Sequence, residues 1–106
     1  MTAAVAGRLA AVQIQLVSEA KSYCLFTRGN VLAIANRTLS GEFSSVGSSG
    51  ILTPEGGMSY LIWRDGRALL ASHGGAEILA AEEQVEEIRR FSADLKIALG
   101  LDTEAR

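Results

Sequence analysis

Four short stretches of this chain are apolar at successive positions: Tyr23-Cys24-Leu25-Phe26, Val31-Leu32-Ala33-Ile34-Ala35, Leu61-Ile62-Trp63 and Ala68-Leu69-Leu70-Ala71. Between them lie Arg28-Gly29-Asn30 and Asp65-Gly66, residues that tolerate the positive φ of tight hairpin turns. The four stretches therefore read as the strands of two hairpins. A strand sends successive side chains to opposite faces, and a sheet with one wet face alternates apolar with polar residues. These strands do not alternate, so both faces of their sheet need cover. Leaving several Leu, Ile, Phe or Trp side chains in water would forgo roughly 1.5–3 kcal/mol each.

The two hairpins also resemble each other. Ser22-Tyr23-Cys24-Leu25-Phe26-Thr27-Arg28-Gly29 aligns without gaps on Ser59-Tyr60-Leu61-Ile62-Trp63-Arg64-Asp65-Gly66. Each continues into a second apolar segment, Val31 to Asn36 and Ala68 to His73. Either an internal duplication or the common pattern of short two-sided hairpins accounts for this. Between the hairpins, Ser40 to Gly50 holds five serines and three glycines, with Phe43 and Val46 as its only large apolar side chains. Residues 43–52 are expected as an additional weak edge strand, with residues 40–50 in part a flexible loop. A turn follows at Thr53-Pro54-Glu55-Gly56-Gly57, with proline at its second position.

Helices supply cover for one sheet face. Ile78, Ala81, Val85, Ile88, Ser92, Leu95 and Leu99 keep heptad-like spacing, widened by Leu79, Phe91 and Ala98, and the opposite side is charged. This predicts a helix over about residues 81–99, closed by Gly100, with Ala76 to Ala80 as helix start or a last short strand. Residues 101–106 form a tail. At the other end Val5, Leu9, Val12, Leu16 and Ala20 share a helical face and Thr2 is placed as N-cap, which predicts a helix over about 3–19. Val12-Gln13-Ile14-Gln15-Leu16 alternates like a strand, so the alternative for residues 11–18 is β.

The expected architecture is a single α+β domain spanning residues 1–106: an antiparallel sheet of two hairpins, four to six strands in all, with an N-terminal helix and a long C-terminal amphipathic helix. Two helices cover one face, and little of the 106 residues remains for the other. Uncovered apolar surface of that size marks an interface, so a homodimer is expected, one that buries the second sheet face or continues the sheet edge to edge. If residues 11–18 are a strand, the alternative is a small barrel whose inner face is the core, with the C-terminal helix plugging one end.

Composition removes several classes of function. No apolar run approaches 18 residues, so no spanning helix is expected. Arg8, Gln13 and Gln15 interrupt any signal-peptide core, and the cytoplasm is the expected compartment. The formal net charge of −2 gives no field for nucleic acid. Residues 1–75 carry six basic and four acidic side chains, and residues 76–106 carry four and eight. The carboxylates of Glu77, Glu82, Glu83, Glu86 and Glu87 suit the start of a helix, where they complement its dipole.

No catalytic set emerges. His73 is the single histidine, without companions for a metal site, and reads as a loop residue. Cys24 is the single cysteine, set in an apolar strand where a thiol behaves as a small hydrophobe. Ser44 to Gly50 lacks the lysine and spacing of a phosphate loop. Tyr23, Phe26, Tyr60 and Trp63, interleaved with Arg28, Arg64 and Arg67, faintly suggest a base-stacking platform, but Asp65 and the acidic last helix oppose phosphates. No cofactor is expected.

The order helix, hairpin, irregular link, hairpin, long helix is loosely similar to profilin-like and roadblock-type modules, which often dimerise. With a strand at residues 11–18, the chain is more similar to a pleckstrin-homology-like barrel capped by its C-terminal helix. Neither likeness carries a diagnostic motif, and neither assigns a family. The expected function is a non-enzymatic, dimeric protein-interaction or regulatory module, with Tyr23, Phe26, Tyr60, Trp63, Arg64 and His73 as candidate interface or pocket residues. The alternative is a small-molecule sensor with an aromatic-lined pocket between sheet and helices.

Overall fold

The computed structural model describes residues 1–53, 57–72 and 74–101. Helix α1 (Ala3–Ala11) leads into strands β1 (Gln15–Glu19), β2 (Tyr23–Arg28), β3 (Val31–Arg37), β4 (Phe43–Leu52), β5 (Met58–Arg64), β6 (Arg67–Ser72) and β7 (Glu77–Leu79), and helix α2 (Glu82–Ala98) follows. The strands form one antiparallel sheet in chain order, so each pairs only with its sequence neighbours. The α+β class and both terminal helices match the expectation. Seven described strands exceed the four to six expected. The sheet stays open with β1 and β7 as its edges, so no barrel forms.

The two hairpins stand where the sequence places them, β2–β3 and β5–β6. Gly29 has φ 64 in the first turn, and Asp65 and Gly66 have φ 54 and 75 in the second. Positive φ at one central residue and at both marks different turn types: β2 runs one residue further than β5 in the alignment, so the matched glycines Gly29 and Gly66 stand first and second in their turns. Corresponding side chains still share faces. Phe26 and Trp63 point to the helix side, and Tyr23 and Tyr60 to the other.

Helix α1 is half the expected length. Thr2 caps it as expected, its hydroxyl accepting from the Val5 N–H at 3.2 Å. It stops at Ala11 because Gln13 turns left-handed, at φ 62. The Ile14 N–H then reaches the Leu9 carbonyl at 2.9 Å and the Gln13 N–H reaches Ala10 at 3.1 Å. These are the two bonds of a Schellman stop, and Leu9 and Ile14 make its apolar contact inside the core. α2 ends the same way, with Gly100 at φ 76, its N–H on Ile97 at 3.0 Å and the Leu101 N–H on Lys96 at 2.8 Å. Beyond the α1 stop, residues 15–19 pair with β2 as an edge strand, with a bulge between Leu16 and Ser18. The helix reading of 12–19 is thereby corrected. The strand alternative holds there, but without the barrel it was tied to.

Residues 43–52 correct a second expectation. Rather than a weak edge, β4 is the middle strand of seven, hydrogen-bonded to β3 on one side and β5 on the other. Its small residues suit a crowded position. A Cβ at Gly50 would lie 2.1 Å from the Ser59 carbonyl oxygen, so only glycine fits where β4 and β5 converge. Shifts of register at Ala33/Ala35 and Asn36/Arg37 absorb the residues by which β4 outruns β3. The expected Pro54 turn at residues 54–56 and the tail at 102–106 lie outside the described residues.

Both helices pack on one face of the sheet. Ile88, Phe91, Leu95 and Ala98 of α2 meet Cys24 and Phe26 of β2 and Val31, Ala33 and Ala35 of β3, with Leu9 and Ile14 closing the side. The small side chains of Ala33 and Ala35 admit the helix close to the strand. Three arginines fix the arrangement. Arg8 Nε donates to the Ala98 carbonyl at 2.8 Å, tying α1 to the last turn of α2. Arg28 donates to the Val12 carbonyl at 3.1 Å and to Asp94 at 2.8 Å, and its guanidinium lies 5.6 Å from the Phe91 ring centroid. Arg37 bonds Glu19 at 2.9 Å and the Gly41 carbonyl at 3.2 Å while covering Phe43.

Candidate functional site

Strand register sorts every side chain to a face. From the pairs Phe26↔Ala33, Leu61↔Leu70 and Leu70↔Ile78, the helix side holds Phe26, Ala33, Leu61, Leu70 and Ile78. The other side therefore holds Tyr23, Leu25 and Thr27 of β2, Leu32, Ile34 and Asn36 of β3, and Gly50 and Leu52 of β4. Met58, Tyr60, Ile62 and Arg64 of β5, Arg67, Leu69 and Ala71 of β6, and Glu77 and Leu79 of β7 lie on it too. No described element covers this face. Leu25, Ile34, Leu52, Met58, Ile62 and Leu69 are half-buried by their own neighbours, and Tyr23 and Leu79 are exposed. Leu32 is fully buried beside Gly50, where β5 crowds against β4.

The charge on this face sits at one end. Arg64 pairs with Glu77 two strands away, and Arg67 stands beside Arg64. Between β2 and that end the side chains are apolar or neutral, and the Asn36 amide is occupied by the Ser45 hydroxyl at 3.0 Å. A broad neutral apolar face with its charge at one end is chemistry for packing against another apolar surface, not for an ionic ligand. Among the described residues no three His, Cys, Asp or Glu side chains are grouped to hold a metal ion. No described helix is long and apolar enough to cross a membrane. Neither a protein-family model nor a curated protein nor a solved structure matches this chain.

The six candidate residues do not converge. Tyr23, Tyr60 and Arg64 lie on the helix-free face, whereas Phe26 is buried in the core beneath the helices, its ring 6.0 Å from that of Phe43. Trp63 is on the helix side but beyond the reach of the core, 54% exposed, with the Arg89 guanidinium 5.5 Å from its ring centroid. His73 lies outside the described residues.

Trp63 instead borders a groove of its own. α2 crosses the sheet over β3 and β4, so the helix side of β5 to β7 is left open at the Asp65-Gly66 end. Trp63, Ala68 and Ala80 form the floor, and Val85, Glu86 and Arg89 of α2 form one wall of this roughly 810 Å³ groove. The sequence signals Trp63 by its type. It gives no sign of the groove, whose existence depends on the angle at which α2 lies.

Proposed function

We propose that this chain is a non-enzymatic cytoplasmic interaction module that self-associates through the helix-free face of its sheet. The observation carrying this reading is the row of large apolar side chains from Leu25 to Leu69, half-buried apart from the enclosed Leu32, over which no described helix lies. Seven strands about 4.8 Å apart, each running some six residues at about 3.3 Å, give a face of roughly 30 by 20 Å. Two copies packed face to face would remove on the order of 1,200 Å² from water, the lower end of a specific interface. The neutrality of the central face favours a like surface, since two copies then bring no charge into opposition there.

Sedimentation velocity tests the reading directly. A dimer is expected at tens of micromolar, on the order of the μM range of modest interfaces. Ile62→Lys, which sets an ammonium in the apolar face, should weaken association by about tenfold or more, with an unchanged far-UV spectrum. A wild-type chain that sediments as a monomer at about 100 μM overturns it. The sensor alternative draws its support from the Trp63 groove alone, because Tyr23 and Tyr60 face the other way and Phe26 is enclosed. A native mass spectrum of a monomer retaining a small molecule would put that alternative first.

A further inference from the structure

The two edges of the sheet differ. β1 is blunted by its bulge and by the polar side chains of Gln15 and Ser18, unpaired among the described residues, which flank its exposed Leu16 and Val17, devices that discourage another strand from pairing. β7 has neither. Ile78 and Leu79 are 62% and 65% exposed, and the one charge on the strand, Glu77, is neutralised by Arg64. The ladder also shows which backbone groups are free. The Ser72 N–H donates to Ala76 and the Ala80 N–H to Ala68, both at 2.9–3.0 Å, so with Leu70↔Ile78 between them the even-numbered residues 76, 78 and 80 bond to β6. The N–H and carbonyl groups of Glu77 and Leu79 therefore point away from the sheet.

What lies beside this edge selects its occupant. The Trp63 groove opens next to Leu79 and Ala80, and the first turn of α2 sets Glu82 and Glu83 along it. Among the described residues neither carboxylate has an ion-pair partner. β7 itself offers Glu77, Ile78 and Leu79 and no basic side chain, so a second copy pairing β7 to β7 would not bring these carboxylates a counter-charge from that strand.

We propose that β7 is a docking edge for an extended segment of a different protein, one alternating apolar and basic residues, which adds as a further strand. Apolar side chains on the helix-free side extend the row ending at Leu79. Basic side chains on the helix side lay their aliphatic stems along the Trp63 groove and carry their charge to Glu82 and Glu83. The main-chain groups of Glu77 and Leu79 supply the pairing.

Trp63 is the single tryptophan and lines the groove, so its emission reports binding. The probe is a capped hexapeptide of alternating lysine and valine, titrated at low salt to about 1 mM, the weak limit for a short strand. A saturable change in Trp63 emission is expected, with amide shifts in Glu77 and Leu79. Glu82→Gln with Glu83→Gln should weaken binding about fivefold or more, and the same peptide with glutamate for lysine should not bind. A peptide N-methylated on its pairing face should also fail. The proposal is overturned by an unchanged Trp63 signal, by equal binding of the glutamate peptide, or by full binding of the N-methylated peptide, which would mean a small-ligand groove rather than a strand edge. Leu79→Pro removes an outward N–H without breaking a bond to β6, and retention of binding in it would equally overturn the proposal. Self-association does not enter the test, because the lysine and glutamate peptides are compared at one protein concentration.

Discussion

At the scale of single residues, two glycines illustrate opposite consequences of the same missing atom. Gly50 sits where β5 crowds β4, and a methyl there would meet the Ser59 carbonyl at 2.1 Å, backbone that cannot swing aside as a flexible side chain would. Gly50→Ala should therefore cost at least about 2 kcal/mol in a urea titration, as overpacking does. Gly7 lies in α1 with nothing within 4 Å of its Cβ position. Gly7→Ala should stabilise by about 0.5–1 kcal/mol, because a mid-helix glycine carries only its entropic penalty. Comparable midpoints for the two variants would contradict the close approach at Gly50. Composition treats both residues alike, and only the packing tells them apart.

At the scale of elements, the ends of the helices explain what could and could not be read in advance. Gly100 announces the stop of α2, and that helix was readable to within about a residue. α1 stops by the same pair of hydrogen bonds, but its left-handed residue is Gln13, which carries no such signal. The apolar spacing from Val5 to Ala20 then runs on undisturbed across a break. Left-handed backbone costs a non-glycine residue roughly 1–2 kcal/mol, so Gln13→Gly should raise stability by up to about 1 kcal/mol after its entropic loss. A fall in the unfolding midpoint would deny that the stop is strained. β4 was misplaced for a different reason. Serine and glycine mark loops and edges when nothing presses on them, and here neighbours press on both sides. The two-sided apolar strands are readable outright. The β7 edge is not, because which amides point outward depends on register, and register is set by the partner strand.

At the scale of the whole molecule, protection should grade from the middle of the sheet outward. β3 and β4 are paired on both sides and lie under α2, whereas β1 and β7 are edges and α1 is short. Native-state amide exchange should find the slowest protons in β3 and in the part of β4 paired with it, and fast exchange in β1, β7 and the first turn of α1. If β7 were instead as protected as β3, something would have to be seated on it. The same gradient locates the opening that would expose Cys24, fully buried beneath Arg37 and the helices.

The chain-order pairing of the strands has a consequence on the ribosome. Each strand of the meander meets its neighbour as soon as it emerges, so the sheet assembles vectorially, without waiting for distant sequence. Its floor does wait. Phe26 is made 65 residues before Phe91, the ring that helps seal it, a delay of roughly 3–13 s at ordinary elongation rates. Throughout that interval a nascent copy has only α1 and Ile14 to lay against the helix side of its sheet. Only the arrival of α2 completes the cover on the helix side.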